Sequence, residues 1–229
     1  MYHYVREFDI NFPHSKHKEI KDFANEIKKL IQLGYEFKNV TEAIKSLKRG
    51  EDTSRMILLT FDDGLKDHFN AAKVLSNLGV QKGTFYITTQ QYLKDEILHV
   101  HKAHLILSKE GEKSLDLLFE ACNNLGISIT DHENYKSEKE NYKNAYSRID
   151  TNSKIKEFKR LINFYGSIGA RDLLLDKILR KIGINKQVKD LYLSFDEIKE
   201  MSEMGFEIGS HGMTHTLLSR LDKNLQKKE

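Results

Sequence analysis

The sequence predicts an α/β fold in which parallel strands alternate with helices and a long, mostly helical segment interrupts the alternation. Three observations lead to this fold class. Residues 1–90 alternate apolar runs with helical patterns, residues 91–190 show little strand signal, and residues 191–229 contain a helix pattern followed by a strand. Such alternation is typical of parallel β–α units. We therefore expect three segments with these bounds.

The first segment opens with a strand pattern over residues 1–5. Apolar residues at helical spacing then run from Ser15, which we interpret as the N-cap, to Gly34, which ends the helix. After a short extended stretch, Thr41 is predicted to cap a second helix. The segment therefore begins with a strand and two helices.

A second strand and its successor follow in the same segment. Residues 56–61 (MILLTF) form a nearly continuous apolar run, which is typical of a strand buried on both faces of a parallel sheet. A helix pattern closed by Gly79 leads to another strand at residues 84–87. This strand–helix–strand order supports parallel pairing.

The middle segment carries several apolar stripes at helical spacing and a polar stretch at residues 130–147. We interpret it as a mostly helical insertion with a solvated connector. In the last segment Ser194 and Glu197 form a capping-box pattern before a helix. A strand at residues 206–209 follows that helix.

Composition limits the classes of function. The chain has 37 Lys and Arg against 34 Asp and Glu, a net charge of +3, which gives no electrostatic reason to expect a nucleic-acid partner. No apolar run approaches the roughly 20 residues that a membrane span needs. The single cysteine excludes an internal disulfide and fits a reducing compartment. With no leader pattern at the N-terminus, these features predict a cytoplasmic protein.

Two adjacent carboxylates, Asp62 and Asp63, follow the strand at 56–61 and precede Gly64. In parallel α/β folds the carboxyl ends of strands are where sites form. The glycine turn can bring both acids to the mouth of the fold, where one could bind a metal while the other takes a proton. The alternative is a solvated Asp-Asp-Gly turn, which is common in proteins.

His211 and His215 follow the last predicted strand and are four residues apart. On a helical turn this spacing places both imidazoles on one face, close enough to share a metal. The alternative is a pair of surface or partly buried histidines. With one carboxylate, the two histidines would leave open positions on a metal for water and substrate.

Both patterns resemble motifs of one family. Residues 60–64 (TFDDG), with Asp67 shortly after, resemble the first motif of the polysaccharide deacetylases, the NodB-homology carbohydrate esterases (carbohydrate esterase family 4). Residues 209–215 (GSHGMTH) are similar to their second motif. The resemblance covers roughly residues 1–90 and 191–229 and implies a distorted (β/α) barrel, here incomplete and carrying the helical insertion.

The resemblance also implies an activity and a set of roles. Asp63, His211 and His215 would hold a divalent metal, most often zinc, and Asp62 would be the general base. The implied reaction is metal-dependent removal of an N-acetyl group from an acetamido sugar of a glycan or glycan precursor. The expected partner is therefore an N-acetylated sugar.

The sequence also departs from this family. The family's later motifs, one of which supplies a histidine as general acid, are not found between His215 and Glu229. Loss of a general acid typically costs 10²–10⁴-fold in rate. One expectation is therefore that another chain, or a second copy of this one in a homo-oligomer, completes the site. The alternative is a deacetylase-like fragment that binds metal or carbohydrate without turnover. His3, on the first predicted strand, could point into the barrel.

Two other classes share part of the pattern. A phosphoacceptor receiver domain also places paired aspartates at a strand end, but it leaves the spacing of His211 and His215 unexplained. Non-haem iron oxygenases use two histidines and one carboxylate, but they usually occur on β-barrels rather than on this α/β pattern. The histidine-rich stretch 99–104 could shape a sugar pocket, although helical histidines more often have no such role.

Overall fold

The computed structural model of the chain describes residues 1–229, with residue 168 described by its backbone alone. The chain forms two compact units. The first consists of Met1–Glu7, His17–Glu96 and Gln187–Glu229, and the second of Phe8–Lys16 and Ile97–Lys186. The architecture is mixed α/β with small parallel sheets, which confirms the predicted class at this level. The described residues form no closed barrel.

The regular elements alternate in the first unit and are helical in the second. The strands are β1 Glu36–Lys38, β2 Met56–Leu58, β3 Thr60–Phe61, β4 Thr84–Ile87 and β5 Glu207–Ser210. The α-helices are α1 Ile20–Gln32, α2 Val40–Lys48, α3 Asp67–Asn77, α4 Gln90–Lys94, α5 His99–Glu110, α6 Lys113–Leu125, α7 Tyr135–Tyr142, α8 Ser153–Arg160, α9 Ile168–Lys181, α10 Val188–Leu191, α11 Phe195–Glu203 and α12 Lys223–Gln226. A π-helical turn, Leu161–Tyr165, and a 3₁₀ turn, Leu218–Arg220, complete the set.

The strands form two parallel sheets. One has the order β1-β2 and the other β3-β4-β5. The apolar run predicted as one strand is therefore divided at Leu59, because β2 pairs with β1 whereas β3 pairs with β4. Leu58 is 42% exposed, so the expectation that this run is buried on both faces was wrong at β2.

The strand predicted over residues 1–5 forms only single bridges, one of which joins the three-stranded sheet. Tyr2 forms a parallel bridge with Phe61, and its backbone N–H donates to the Thr60 carbonyl at 2.8 Å. Val5 forms a second bridge, with Lys18. Because Lys18 is held in this extended pairing, α1 begins at Ile20 and not after Ser15 as predicted.

The start of α2 also differs from the prediction. Asn39, not Thr41, is the N-cap, in a capping box with Glu42. The Thr41 hydroxyl instead donates a short hydrogen bond to the carboxylate of Glu207 on β5. Thr41 therefore bonds a residue distant in sequence, Glu207, instead of capping the helix.

The core of the first unit is aromatic and centres on one face of the three-stranded sheet. Phe61 and Phe85 stack with ring centroids 4.3 Å apart, and Phe206 meets Phe85 edge-on at 5.4 Å. Helices α1, α3 and α11 cover this face. Since successive strand residues point to opposite faces, residues next to these phenylalanines point away from this core.

Replacing Phe85 with alanine is expected to lower the free energy of unfolding by about 3–5 kcal/mol, because the fully buried ring leaves a cavity between its aromatic neighbours. Urea unfolding would measure it. Phe195→Ala is the matched control, since Phe195 is 70% exposed and should cost about 1 kcal/mol or less. Equal losses in both variants would contradict this assignment of the core.

The second unit is built from helices α5 to α9 and the π-helical turn. Its buried residues include Phe158 and Ile162, and the carboxylate of Asp150 is buried between the ammonium groups of Lys16 and Lys159. Helix α7, which lies in the polar stretch at residues 130–147, has no buried residue. Across the described part of the chain, no helix is both long and apolar enough to cross a membrane.

Candidate metal centre

The carboxyl end of β3 carries the two predicted carboxylates on a sharp turn. Asp63 has a left-handed backbone with φ of 84°, and Gly64 follows with φ of 65°. Aspartate tolerates this conformation better than most residues. A Cβ on Gly64 would lie 3.1 Å from a methyl group of Ile87, so glycine also makes room there. The turn directs the Asp63 side chain into the protein, where it is only 2% exposed.

The carboxyl end of β5 carries the two histidines on an irregular loop. The backbone N–H of His211 donates to the Ile87 carbonyl at 2.9 Å, which ties the start of the loop to β4. Gly212 and His215 both have positive φ, 77° and 59°. The residues from His211 to His215 are not helical, so the predicted helical turn was wrong. The bent loop, rather than helical spacing, brings the imidazoles together.

Asp63, His211 and His215 meet in one small group. The Nε2 atoms of His211 and His215 lie 3.4 and 3.2 Å from Oδ1 of Asp63. The centroids of the two imidazole rings are 5.2 Å apart. One ligand atom from each residue lies within 4.8 Å of the others. Two imidazoles and one carboxylate form a donor set that suits zinc and leaves room for further ligands. These residues therefore fit a divalent metal.

The buried carboxylate of Asp63 affects the pKa of His215. Burial acts to lower the pKa of His215, but the hydrogen bond to Asp63 and the charge of that carboxylate act in the opposite direction and leave this pKa raised. A metal ligand must be a neutral imidazole, so protons compete with metal at this residue. Metal binding at this group should consequently weaken as the pH falls.

Asp62 lies beside this group and faces His3. The parallel bridge between Tyr2 and Phe61 makes the next residues neighbours, and Nε2 of His3 is 4.0 Å from Oδ2 of Asp62. The Asp62 side chain is 14% exposed and that of His3 is 37% exposed. Both side chains can therefore be reached from solvent. Sequence reasoning did not pair them, because the pairing depends on the long-range bridge.

Asp67, the other acid near the first motif, has a structural partner. Its carboxylate is partly buried and lies 2.5 Å from Nε of Arg6. Burial raises the pKa of Asp67, and the Arg6 guanidinium acts against that rise. Asp67 is outside the metal group, as are the histidines of the 99–104 stretch, which belong to the second unit.

Glu229 stabilises the loop of residues 211–215, the histidine loop, through hydrogen bonds. Its Oε2 accepts hydrogen bonds from the backbone N–H groups of Met213, at 2.8 Å, and Thr214, at 2.9 Å, and its Oε1 accepts a short bond from the Thr214 hydroxyl. Burial acts to raise the pKa of Glu229, but these hydrogen bonds outweigh it and leave the pKa lowered. No sequence pattern indicated this role.

Replacing Glu229 with glutamine is expected to weaken zinc binding by about tenfold, in the range seen when hydrogen-bonded outer partners of metal ligands are removed. The amide lacks the negative charge and one of the two acceptor oxygens, so the charge-assisted hydrogen bonds from Met213 and Thr214 would weaken and the loop would loosen. Zinc titration calorimetry measures the change. Glu203→Gln, on an exposed carboxylate, is the matched control, and unchanged affinity in Glu229→Gln would refute the loop-holding role.

An open cavity borders the two histidines. It has a volume of about 450 Å³ and is lined by Ser210, His211, Gly212, His215, Thr216, Leu217, Leu218, Gln226 and Glu229. A space of this size next to a metal-binding group can admit a small polar ligand. The site as a whole is a group of one carboxylate and two histidines that could hold a metal ion, at the strand ends of an α/β unit.

Comparison with known proteins gives a likeness at the level of fold. The chain is similar to the solved structure of Streptococcus pyogenes deacetylase PplD in complex with acetate, with a TM-score of 0.52 and 13% sequence identity. The match covers 100% of this chain and 61% of that one. No protein-family model and no curated protein matches the sequence. The likeness confirms a deacetylase-like α/β fold.

Proposed function

We propose that this protein is a metal-dependent hydrolase that removes an N-acetyl group from an acetamido sugar of a glycan or glycan precursor. The observation that carries the proposal is the convergence of Asp63, His211 and His215 beside Asp62 at the strand ends of a deacetylase-like fold. We also propose that the strands belong to a barrel of the polysaccharide deacetylase type, as the two sequence motifs imply.

The metal ion would be held by Asp63, His211 and His215. Zinc is the ion that best suits two imidazoles and one carboxylate. A bound divalent ion supplies Lewis-acid polarisation of a carbonyl and lowers the pKa of water. The raised pKa of His215 comes from Asp63, and the same carboxylate would hold the His215 ring in position for binding.

The proton transfers are assigned to Asp62 and His3. Water adds to the acetyl carbonyl carbon while Asp62 takes a proton from it. The carbon–nitrogen bond then breaks as the sugar nitrogen receives a proton from His3, which gives acetate and a free amine. Both side chains are accessible to solvent and lie 4.0 Å apart, so both can face the same small substrate group.

The test of the proposed function is acetate release by the zinc-loaded protein. N-acetylglucosamine, N-acetylgalactosamine and N-acetylmannosamine would be supplied as free sugars and as nucleotide-linked forms. We expect acetate and a free amine in equal amounts from at least one of them, and none from protein treated with a chelator. Bound zinc without acetate release from any of these sugars would contradict the proposal.

Replacing His3 with asparagine is expected to lower kcat by about 10²–10⁴-fold while zinc remains bound, because a proton donor is lost but no metal ligand is. The matched control is His14→Asn, on an exposed histidine outside the site. A variant at His3 that retains full activity would show that another group protonates the leaving nitrogen.

A second candidate is a deacetylase-like protein that binds metal or carbohydrate without turnover. It is favoured by one observation: Nε2 of His3 is 4.0 Å from Oδ2 of Asp62, which is longer than a hydrogen bond, so these two side chains are not held together. Zinc binding by the wild type without acetate release from any of the tested sugars would support this candidate over the hydrolase.

A further inference from the structure

The three-stranded sheet has a polar face opposite its aromatic core. Phe61 and Phe85 are paired in the register and point into the core. Strand alternation therefore places Tyr86 on the other face, as it does Gly209, which is its partner on β5. Asp62, one residue beyond Phe61, lies next to Tyr86 in this register. Tyr86 is thus a cross-strand neighbour of the proposed general base.

The backbone of β5 fixes the position of the Tyr86 ring. A Cβ on Gly209 would lie 2.7 Å from both Cδ1 and Cε1 of Tyr86, closer than real side chains approach. Glycine at 209 therefore lets the ring lie directly against the strand. The ring centroid is 6.4 Å from that of His211. Tyr86 consequently borders the proposed metal ligand without belonging to the metal group.

The Tyr86 hydroxyl is available to a ligand. Among the described residues it makes no hydrogen bond, and the side chain is half-buried. Burial raises the pKa of Tyr86, and the charges of Glu207 and Asp62 raise it further. The hydroxyl therefore stays protonated at neutral pH and can donate a hydrogen bond.

We propose that Tyr86 is a substrate-binding residue whose hydroxyl donates a hydrogen bond to an oxygen of the acetamido sugar, with its ring beside His211. This inference rests on the proposed function, which supplies the sugar. A rigid aromatic body with one polar end suits a ligand that has both apolar and hydroxylated surfaces. Residues of this kind orient a ligand within a site rather than carry out the chemistry.

The test is binding of the three N-acetylated monosaccharides to zinc-loaded protein with labelled tyrosines, followed by NMR. The Tyr86 signal is identified as the one that Tyr86→Phe removes. We expect this signal to shift on sugar binding, and the sugar dissociation constant to rise about 3–10-fold in Tyr86→Phe, the size of one neutral hydrogen bond. Tyr35→Phe, at an exposed tyrosine, is the matched control.

The remaining outcomes would overturn either this inference or the proposed function. A sugar that binds without shifting Tyr86, equal binding by Tyr86→Phe, or no sugar binding at all would overturn the inference. Loss of zinc affinity in Tyr86→Phe would also overturn it, since the residue would then support His211 instead. Sugar binding with a shifted Tyr86 signal but without acetate release would uphold the inference and refute the proposed hydrolase.

Discussion

Tight zinc binding is expected to be lost when His211 is replaced by alanine. Among the described residues, three side chains form the metal group, and His211 supplies one of the two imidazoles. The remaining pair, Asp63 and His215, lie 3.2 Å apart and would form an ion pair rather than a closed site. The loss should exceed the roughly 10–100-fold cost of removing an outer hydrogen-bond partner. His215→Ala and Asp63→Asn should behave in the same way.

Elemental analysis of the purified protein, followed by zinc titration, would measure this effect. About one zinc per chain is expected in the wild type and in His14→Ala, and almost none in His211→Ala. Because a ligand that binds only the folded state stabilises it by about 2.7 kcal/mol at 100 times its dissociation constant, zinc should also raise the Tm of the wild type but not of the variant. Equal zinc content in both proteins would refute the assignment of His211.

Asp62→Asn should retain the metal and lose turnover. The carboxylate of Asp62 lies outside the metal group and beside His3, so the amide removes a proton acceptor without removing a ligand. Loss of a general base typically lowers the rate by 10²–10⁴-fold. Asparagine keeps the shape of the side chain, which limits any effect on folding.

Zinc content and acetate release measured on the same preparations would test this assignment. Asp63→Asn is the matched comparison, because it makes the same chemical change one residue away and asparagine also tolerates the positive φ of that position. If Asp62→Asn lost the metal while Asp63→Asn kept it, the roles of the two aspartates would be reversed.

Much of the site could be located from the sequence because its signals are local. Paired acids after an apolar run and two histidines after another mark the carboxyl ends of strands, and parallel pairing brings such ends to one edge. The structure places Asp63, His211 and His215 together as expected. Their roles toward a metal stay predictions until zinc binding is measured.

Other features could not be predicted because they depend on partners distant in sequence. The division of the apolar run at Leu59 follows from the pairing of β2 with β1, and the start of α1 follows from the bridge of Lys18 to Val5. Neither partner is indicated by periodicity, which reports only which residues share a face. Local propensity was therefore overridden wherever a long-range backbone pair formed.

The sequence by itself determined the α/β class, the polar ends of two strands and the residue types available for chemistry, since these follow from apolar periodicity and side-chain composition. Only the tertiary structure decided how those residues are used. It turned Asp63 inward through a left-handed backbone, bent the histidine loop into a non-helical shape held by Glu229, and placed His3 beside Asp62. Those outcomes rest on packing and on hydrogen bonds between segments that are far apart in the chain, which have no local sequence signature.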